Sequence, residues 1–468
     1  MMLLYLLTAL FLAACAGFAR SCKAVRSIVS VFFGVEVLFA LWLVAGDRLD
    51  ATSSVFFTFD RLGMLFFVLM TVVSSTAFFQ SSRYLDAENL HEHKVYKISL
   101  MLLCASASAV YFANNVAVTW IFLEATTLCT AGLVYHRRNE RSLEATWKYI
   151  FVCSTGIAVA YLGILLLGTV AVGGDMSYSS LAEGVLTGNP LYLKIAFLFI
   201  LVGYSCKMEL FPLYTIGVDA NFAAPTPASA VISTVLVNAG FVSVFRVYRI
   251  VAPSPVGEWA SQVLIIAGVL SVLVGAVFLR RTNNYKRLLS YSTVENMGIV
   301  AIGLGIGGAG VFAALFHAMA HTFIKSGLFF CMAQVGKIYG NYRINRIGDY
   351  IRINRLGAAT ILLGVVSLLA FPPSALFVSE VMIFKQIILD GKWWLLVVVV
   401  LLLCFVMYSL FYRVLQLCFR PGGTPCESAY RTSPVFAWTG FALIAVPAVI
   451  GMLQPESLID FIRDIVTF

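Results

Sequence analysis

Apolar runs long enough to cross a bilayer follow one another along the chain with only short polar interruptions. They lie at approximately 2–19, 27–46, 62–80, 96–113, 116–135, 149–171, 192–216, 227–250, 260–280, 288–306, 310–335, 356–389, 393–419 and 434–453. The pattern predicts an all-α polytopic membrane protein with about fourteen transmembrane helices. Two runs are punctuated: the seventh meets Phe211–Pro212 and the twelfth meets Phe371–Pro372–Pro373. A proline there frees backbone groups, which a membrane tolerates only where protein or water satisfies them. Pro212, Pro372 and Pro373 therefore predict two broken helices. Met2–Phe18 has the length of a signal peptide, but no small-residue cleavage site leads into a soluble region, so it reads as the first span.

Charge changes the picture from a row of spans to an oriented one. Loops after odd-numbered runs hold 22 lysines and arginines, among them Arg20, Lys97, Arg137, Arg280, Lys337 and Arg431. Loops after even-numbered runs hold six: Arg48, Arg61, Lys194, Arg246, Arg249 and Lys392. The positive-inside rule then places the odd loops in the cytoplasm and both termini on the other side of a cell inner membrane. This asymmetry explains the net charge of +9 without a nucleic-acid partner. With 60% hydrophobic residues, 12% charged ones and a mean hydropathy of +0.92, the only partner implied by bulk composition is the lipid bilayer.

The two punctuated runs suggest an internal repeat. Asp219 follows Phe211 by eight residues and Glu380 follows Phe371 by nine, while spans five and ten each carry one acid, Glu124 and Glu295. Spans four to eight and nine to thirteen are offset by an odd number of helices, which forces opposite orientations. Inverted repeats with matched broken helices are a transporter architecture. The predicted organisation is residues 1–95 for helices one to three, 96–250 for the first inverted five-helix repeat, 260–420 for the second, and 434–468 for the last helix.

Candidate chemistry lies in the charges left inside the spans. Lys207 sits deep in LKIAFLFILVGYSCKMEL beside the first break, and Glu124 lies in VTWIFLEATTLCTAGLVY. An acid and a lysine on neighbouring helices reduce each other's burial cost and tune each other's proton affinity. The bland alternative is a static buried salt bridge. In span eleven His317, His321 and Lys325 recur at i, i+4 and i+8, one helical stripe suited to a proton wire. A zinc site is the competing reading of the histidine pair, but no cysteine or carboxylate completes it and Lys325 would repel the cation. Glu380 lies beyond the second break with Lys385 five residues on; Lys385 alternatively snorkels to the surface. Glu295 is either part of an access path or paired with Lys286 or Arg287. Glu209 and Glu36 complete the intramembrane acids. The ten cysteines form no CxxC pair, so no metal or cofactor is expected on this chain, and any redox centre belongs to another one.

The run KMELFPLYTIGVDANFAAPTPASAVISTVLVNAGFVSVFR resembles the broken-helix region of the antiporter-like membrane subunits of respiratory complex I and its relatives. YKRLLSYSTVENMG, HAMAHTFIKSGLFF and SEVMIF resemble that family's tenth, eleventh and twelfth helices, in the form found in hydrogenase-4 component F and formate hydrogenlyase-type membrane subunits. The resemblance covers roughly residues 55 to 420. It implies a proton-translocating subunit with no catalytic site of its own. Its partners would be other membrane-arm subunits and a peripheral hydrogenase- or dehydrogenase-like module carrying iron–sulfur clusters. Glu124, Lys207, Lys325 with the histidines, and Glu380 match the family's charged positions. Two departures stand out. The usual His-Thr-Trp-Leu-Pro-Asp-Ala stretch reads Tyr214 to Ala220 as YTIGVDA, and Asn238 stands where many members have lysine. Asn238 then implies a water-mediated link in the relay. Rival readings are a subunit of a multi-subunit sodium/proton antiporter or bicarbonate-uptake system, and a structural scaffold.

Overall fold

In the computed structural model, residues 1–46, 54–85, 89–423, 425 and 433–466 are described. Arg48 and Arg431 of the charge argument lie outside them. The chain divides into two units, Met1–Val263 and Leu264–Thr467.

The first unit contains α1 (Met2–Phe18), α2 (Cys22–Ala45), α3 (Arg61–Tyr84), α4 (Leu90–Tyr111), α5 (Val116–Val134), α6 (Glu140–Gly168), α7 (Pro190–Met208), α8 (Thr215–Ala223) and α9 (Thr226–Val251). Polar caps start these helices where the hydrophobic pattern begins. Asp60 Oδ1 accepts from Gly63 N at 2.9 Å, and Asn139 and Ser142 form a reciprocal capping box. Helix α9 is the interior element: its most apolar 18-residue stretch is wholly buried, and it packs on α3, α4 and α7. It begins after Pro225 and contains a π-turn at Ile232–Leu236, whose Val235 carbonyl accepts from Tyr111 Oη at 2.8 Å. Arg246 is a correction to the charge argument. It is a buried residue of α9, paired with both oxygens of Asp60 at 2.9 Å and donating to the Tyr111 carbonyl. Lys97 is likewise buried on α4.

The second unit contains most of α10 (Gly257–Arg281), then α11 (Tyr285–Ile306), α12 (Ala309–Tyr339), α13 (Arg355–Leu368), α14 (Ala375–Leu389), α15 (Trp393–Phe419), α16 (Val435–Leu453) and α17 (Glu456–Val466). Helix α12 is its interior element, 89% buried over its most apolar stretch and surrounded by α11, α13, α14, α16 and α17. Apart from the stripe of His317, His321 and Lys325 the helix is apolar around most of its circumference, as an interior position requires.

Among the described residues ten helices are long and apolar enough to cross a membrane: α2, α3, α5, α6, α7, α9, α10, α12, α15 and α16. Each of the fourteen predicted runs falls on a helix or on a broken pair. The four beyond the ten are α1 and α13, which are short, and α4 and α11, which hold more polar residues.

Both predicted breaks are present. Helix α7 stops at Met208 and the chain re-enters helix at Thr215; α13 stops at Leu368 and α14 begins at Ala375, capped by Ser374. Each break carries a non-glycine residue with left-handed backbone, Glu209 at φ 54° and Ala370 at φ 51°. Such residues cost of order 1–3 kcal/mol and persist where their surroundings over-determine them. Glu209 is held by Asn221 Nδ2, donating to Oε1 at 2.9 Å, and by Gly217, where a Cβ would come within 2.4 Å of the same oxygen. The atypical YTIGVDA stretch is thus a socket: Gly217 leaves room for a buried carboxyl.

Candidate functional site

In the first unit Lys207 is 1% exposed at the last turn of α7. Its Nζ donates to Thr127 Oγ1 at 2.8 Å and to Tyr149 Oη at 3.1 Å. Thr127 in turn donates to Glu124 Oε2 at 3.2 Å, and Ser154 donates to Glu124 Oε1 at 2.7 Å. The structure therefore brings Glu124 and Lys207 together through one hydroxyl, and no direct ion pair joins them. Burying an ammonium costs several kcal/mol. Hydrogen bonds to charged groups return about 1.5–3 kcal/mol each. The two hydroxyls together return about 3–6 kcal/mol, of the same order as that cost, and the carboxylate one hydroxyl away adds further attraction. A threonine that accepts from a lysine while donating to a carboxylate can pass a proton by shifting both hydrogens. That shift moves one proton from Lys207 to Glu124 and leaves both side chains neutral. Asn238, 2% exposed, lies on α9 just past the π-turn. Two residues on, a Cβ at Gly240 would come within 2.5 Å of Met208 N and 2.7 Å of Lys207 C, so α9 rests on the backbone that carries the lysine.

In the second unit the predicted stripe on α12 exists, and His317, His321 and Lys325 are all fully buried. The three do not bind one another. Lys325 Nζ donates to the Leu289 carbonyl at 2.7 Å and to Ser292 Oγ, both on α11. His317 Nε2 faces Asn296 Oδ1 at 3.2 Å, and its Nδ1 faces Ser379 Oγ at 2.9 Å. Asn296 Nδ2 donates to Ser292 O at 2.7 Å and Glu295 Oε2 at 2.6 Å, which fixes its oxygen toward the imidazole. His317 Nε2 is therefore a donor. Ser379 Oγ also lies 2.8 Å from the Leu376 carbonyl, so its single hydrogen has two destinations. Given to His317, it suits the neutral ring; given to Leu376, it suits the imidazolium. Both nitrogens of His317 are engaged, which leaves neither for a metal. His321 differs: neither ring nitrogen has a hydrogen-bond partner among the described residues.

Glu295 is a correction. It lies at the middle of α11, 4% exposed, and is bonded to Asn296 instead of Lys286 or Arg287. Glu295 and the half-buried Glu380 line one cavity of about 170 Å³, closed by Leu368, Phe384, Leu403 and Met407. Two carboxylates at one small cavity repel unless one of them holds a proton or positive charge sits between them. Lys385 is not part of this arrangement. It is exposed, five residues from Glu380 and so on another face of α14.

Sequence reasoning missed the connecting residues. Thr127, Asn296 and Ser379 were legible in principle, one turn from or adjacent to Glu124, Glu295 and Glu380 in the sequence. Tyr149 and Ser154 come from a neighbouring helix, and only packing reveals them.

Residues 113–406 match the family described as NADH:quinone oxidoreductase/Mrp antiporter, TM. The hydrogenase-4 component F homolog of Methylacidiphilum infernorum (isolate V4) is 30% identical over 344 residues, 71% of this chain and 72% of that protein. The NAD(P)H-quinone oxidoreductase subunit 2 of Thermosynechococcus vestitus is 26% identical over 424 residues, 89% of this chain and 80% of that protein. Among solved structures, a chain of the membrane-bound sulfane sulfur reductase, an archaeal respiratory membrane complex, superposes with a TM-score of 0.87. It covers 100% of this chain and 96% of that one at 21% identity, a likeness of fold.

Proposed function

Because the chain belongs to the NADH:quinone oxidoreductase/Mrp antiporter family of multi-pass membrane subunits, we propose that it translocates protons in the membrane arm of an energy-converting oxidoreductase, hydrogenase- or formate-linked. The observation that carries this reading is the Glu124–Thr127–Lys207 bridge, a half-buried acid and a buried base joined by one exchangeable hydroxyl beside a helix break. Redox chemistry on partner chains displaces charge at Glu124. Lys207 then gives up or takes back its proton. In the second half the proton moves among Lys325, His321 and His317 and reaches the Glu295–Glu380 cavity near the second break. Asn238 serves as a water-bridged position between Lys207 and the later groups. In this reading the chain has fourteen spans, ten of them in two inverted five-helix repeats, and both termini lie on the non-cytoplasmic side of the inner membrane. Its partners are other membrane-arm subunits and a peripheral iron–sulfur redox module.

Proton pumping by the complete complex in vesicles tests the assignment. Lys207→Ala and Glu124→Ala are expected to abolish pumping while electron transfer continues or slows. Full pumping at normal turnover by both variants sinks it. The family also spans Mrp antiporters, so sodium-dependent proton exchange without any electron donor would move the assignment to a sodium/proton antiporter subunit.

A further inference from the structure

Glu36 belongs to none of the groups above. It sits on α2 at 0% exposure, enclosed by α1, α3 and α4. Ser74 Oγ donates to Oε1 at 3.1 Å, and Oε2 receives no hydrogen bond among the described residues. Thr71 Oγ1 also lies beside the carboxyl, but its hydrogen goes to the Phe67 carbonyl at 2.9 Å. A carboxylate can only accept, and Ser74 is the one donor bonded to Glu36 among the described residues. A neutral carboxyl needs a single donor, at its carbonyl oxygen, so a proton on the other oxygen suits this pocket better than a charge.

The face of α3 that meets Glu36 continues as Thr71, Ser74, Phe78, Ser81 and Ser82, a stripe at helical spacing. At its other end Lys97 of α4, 0% exposed, donates to Ser81 Oγ at 2.7 Å, Ser82 Oγ at 2.9 Å and the Phe78 carbonyl at 3.3 Å. Seven residues separate Ser74 from Ser81, about 10 Å along a helix. The Phe33 and Phe78 rings fill the level between, with centroids 4.9 Å apart. The titratable and charged groups around Glu36 are Tyr5 of α1, Cys104 and Tyr111 of α4, and, farther along the stripe, Lys97 and Arg26 of α2, which donates to the Ser82 carbonyl. None of them forms an ion pair with Glu36 among the described residues.

We propose that Glu36 is a proton-binding site of the amino-terminal helices, distinct from the charged groups described above, whose hold on its proton Lys97 weakens across the Phe33–Phe78 layer. It gives this chain a third combination of acid, hydroxyl and lysine, in which a phenylalanine pair separates the acid from the lysine and no hydroxyl bridges them. The site stands whether or not the Glu124–Lys207 pair pumps protons.

A hydrophobic carbodiimide tests it, because a neutral carboxyl adds its O–H across one C=N bond and rearranges to a stable N-acylurea, whereas a carboxylate does not. The whole complex in native membranes is treated with dicyclohexylcarbodiimide across a pH series, and the Glu36 peptide is quantified by mass spectrometry. The same chain unfolded in dodecyl sulfate at acidic pH sets full reaction. The expected result is labelling of Glu36 in the native complex that declines as pH rises and disappears in Glu36→Gln. Lys97→Met is expected to raise labelling severalfold at alkaline pH. Absence of label at every pH, with the unfolded reference reacting, overturns the proposal. So does protection by sodium chloride but not choline chloride, which would make the ligand a metal cation. Unchanged labelling in Lys97→Met overturns the part assigned to the lysine.

Discussion

In the first unit one threonine hydroxyl stands between Lys207 and Glu124. In the second, the steps from Lys325 to Glu295 run through Ser292 and the Asn296 amide, and His317 hangs from the same amide. Both arrangements set an acid near a buried lysine beside a broken helix, yet their connecting groups differ in kind. A hydroxyl accepts and donates at one atom, so it conducts a proton as it stands. A carboxamide donates from nitrogen and accepts at oxygen and does not titrate, so Asn296 orients its neighbours without conducting. The first unit is a short relay. The second is a set of proton-binding groups held at fixed positions around an imidazole, His321, that nothing holds by hydrogen bonds among the described residues. Transfer there depends on side-chain motion or water, and that is where control of timing belongs.

The sharpest way to break this contrast is Thr127→Val, which keeps the volume and removes the bridge. It leaves Lys207 short of one charged hydrogen bond worth about 1.5–3 kcal/mol, so pumping by the reconstituted complex should fall by roughly ten- to a hundredfold, and Thr127→Ser should restore most of it. Equal pumping by the valine variant would show that the hydroxyl conducts nothing. Next comes Asn296→Leu. It strands the His317 Nε2–H, an unpaired buried donor costing about 1–3 kcal/mol. Thermal unfolding in detergent should therefore move to lower temperature, with pumping reduced but not lost. His321→Phe sharpens the difference from the other side. With no hydrogen bond to lose, the melting temperature should fall less than in Asn296→Leu while pumping falls. A large drop in melting temperature would mean that His321 is a structural residue. The smallest effect belongs to Lys385→Ala: an exposed side chain on another face of α14 should leave both pumping and stability unchanged.

The sequence revealed the helices because burial in lipid imposes a simple rule, apolar residues for the length of each crossing. Both breaks were legible for a similar reason, since proline at membrane depth has few explanations. The stripe of His317, His321 and Lys325 was legible from helical periodicity alone. What failed depended on depth and on neighbours. Arg246 and Lys97 read as loop charges because run boundaries are uncertain by several residues, and only the folded chain puts each among buried oxygen acceptors. Glu295 read as a possible partner of Lys286 or Arg287, whereas α11 begins ten residues earlier and carries it to mid-helix. Gly217 read as a departure from a familiar motif; its meaning needed the position of Glu209.

The π-turn at Ile232–Leu236 bears on how this chain can be varied. A π-turn is what a single added residue makes of a continuous α-helix. Removing one residue there would close the ladder again and rotate everything beyond it by about 100°. Gly240 would leave the Lys207 backbone, and Arg246 would swing away from Asp60. The length of this five-residue segment is therefore under tighter constraint than its side chains: conservative replacements should be tolerated where a one-residue deletion is not.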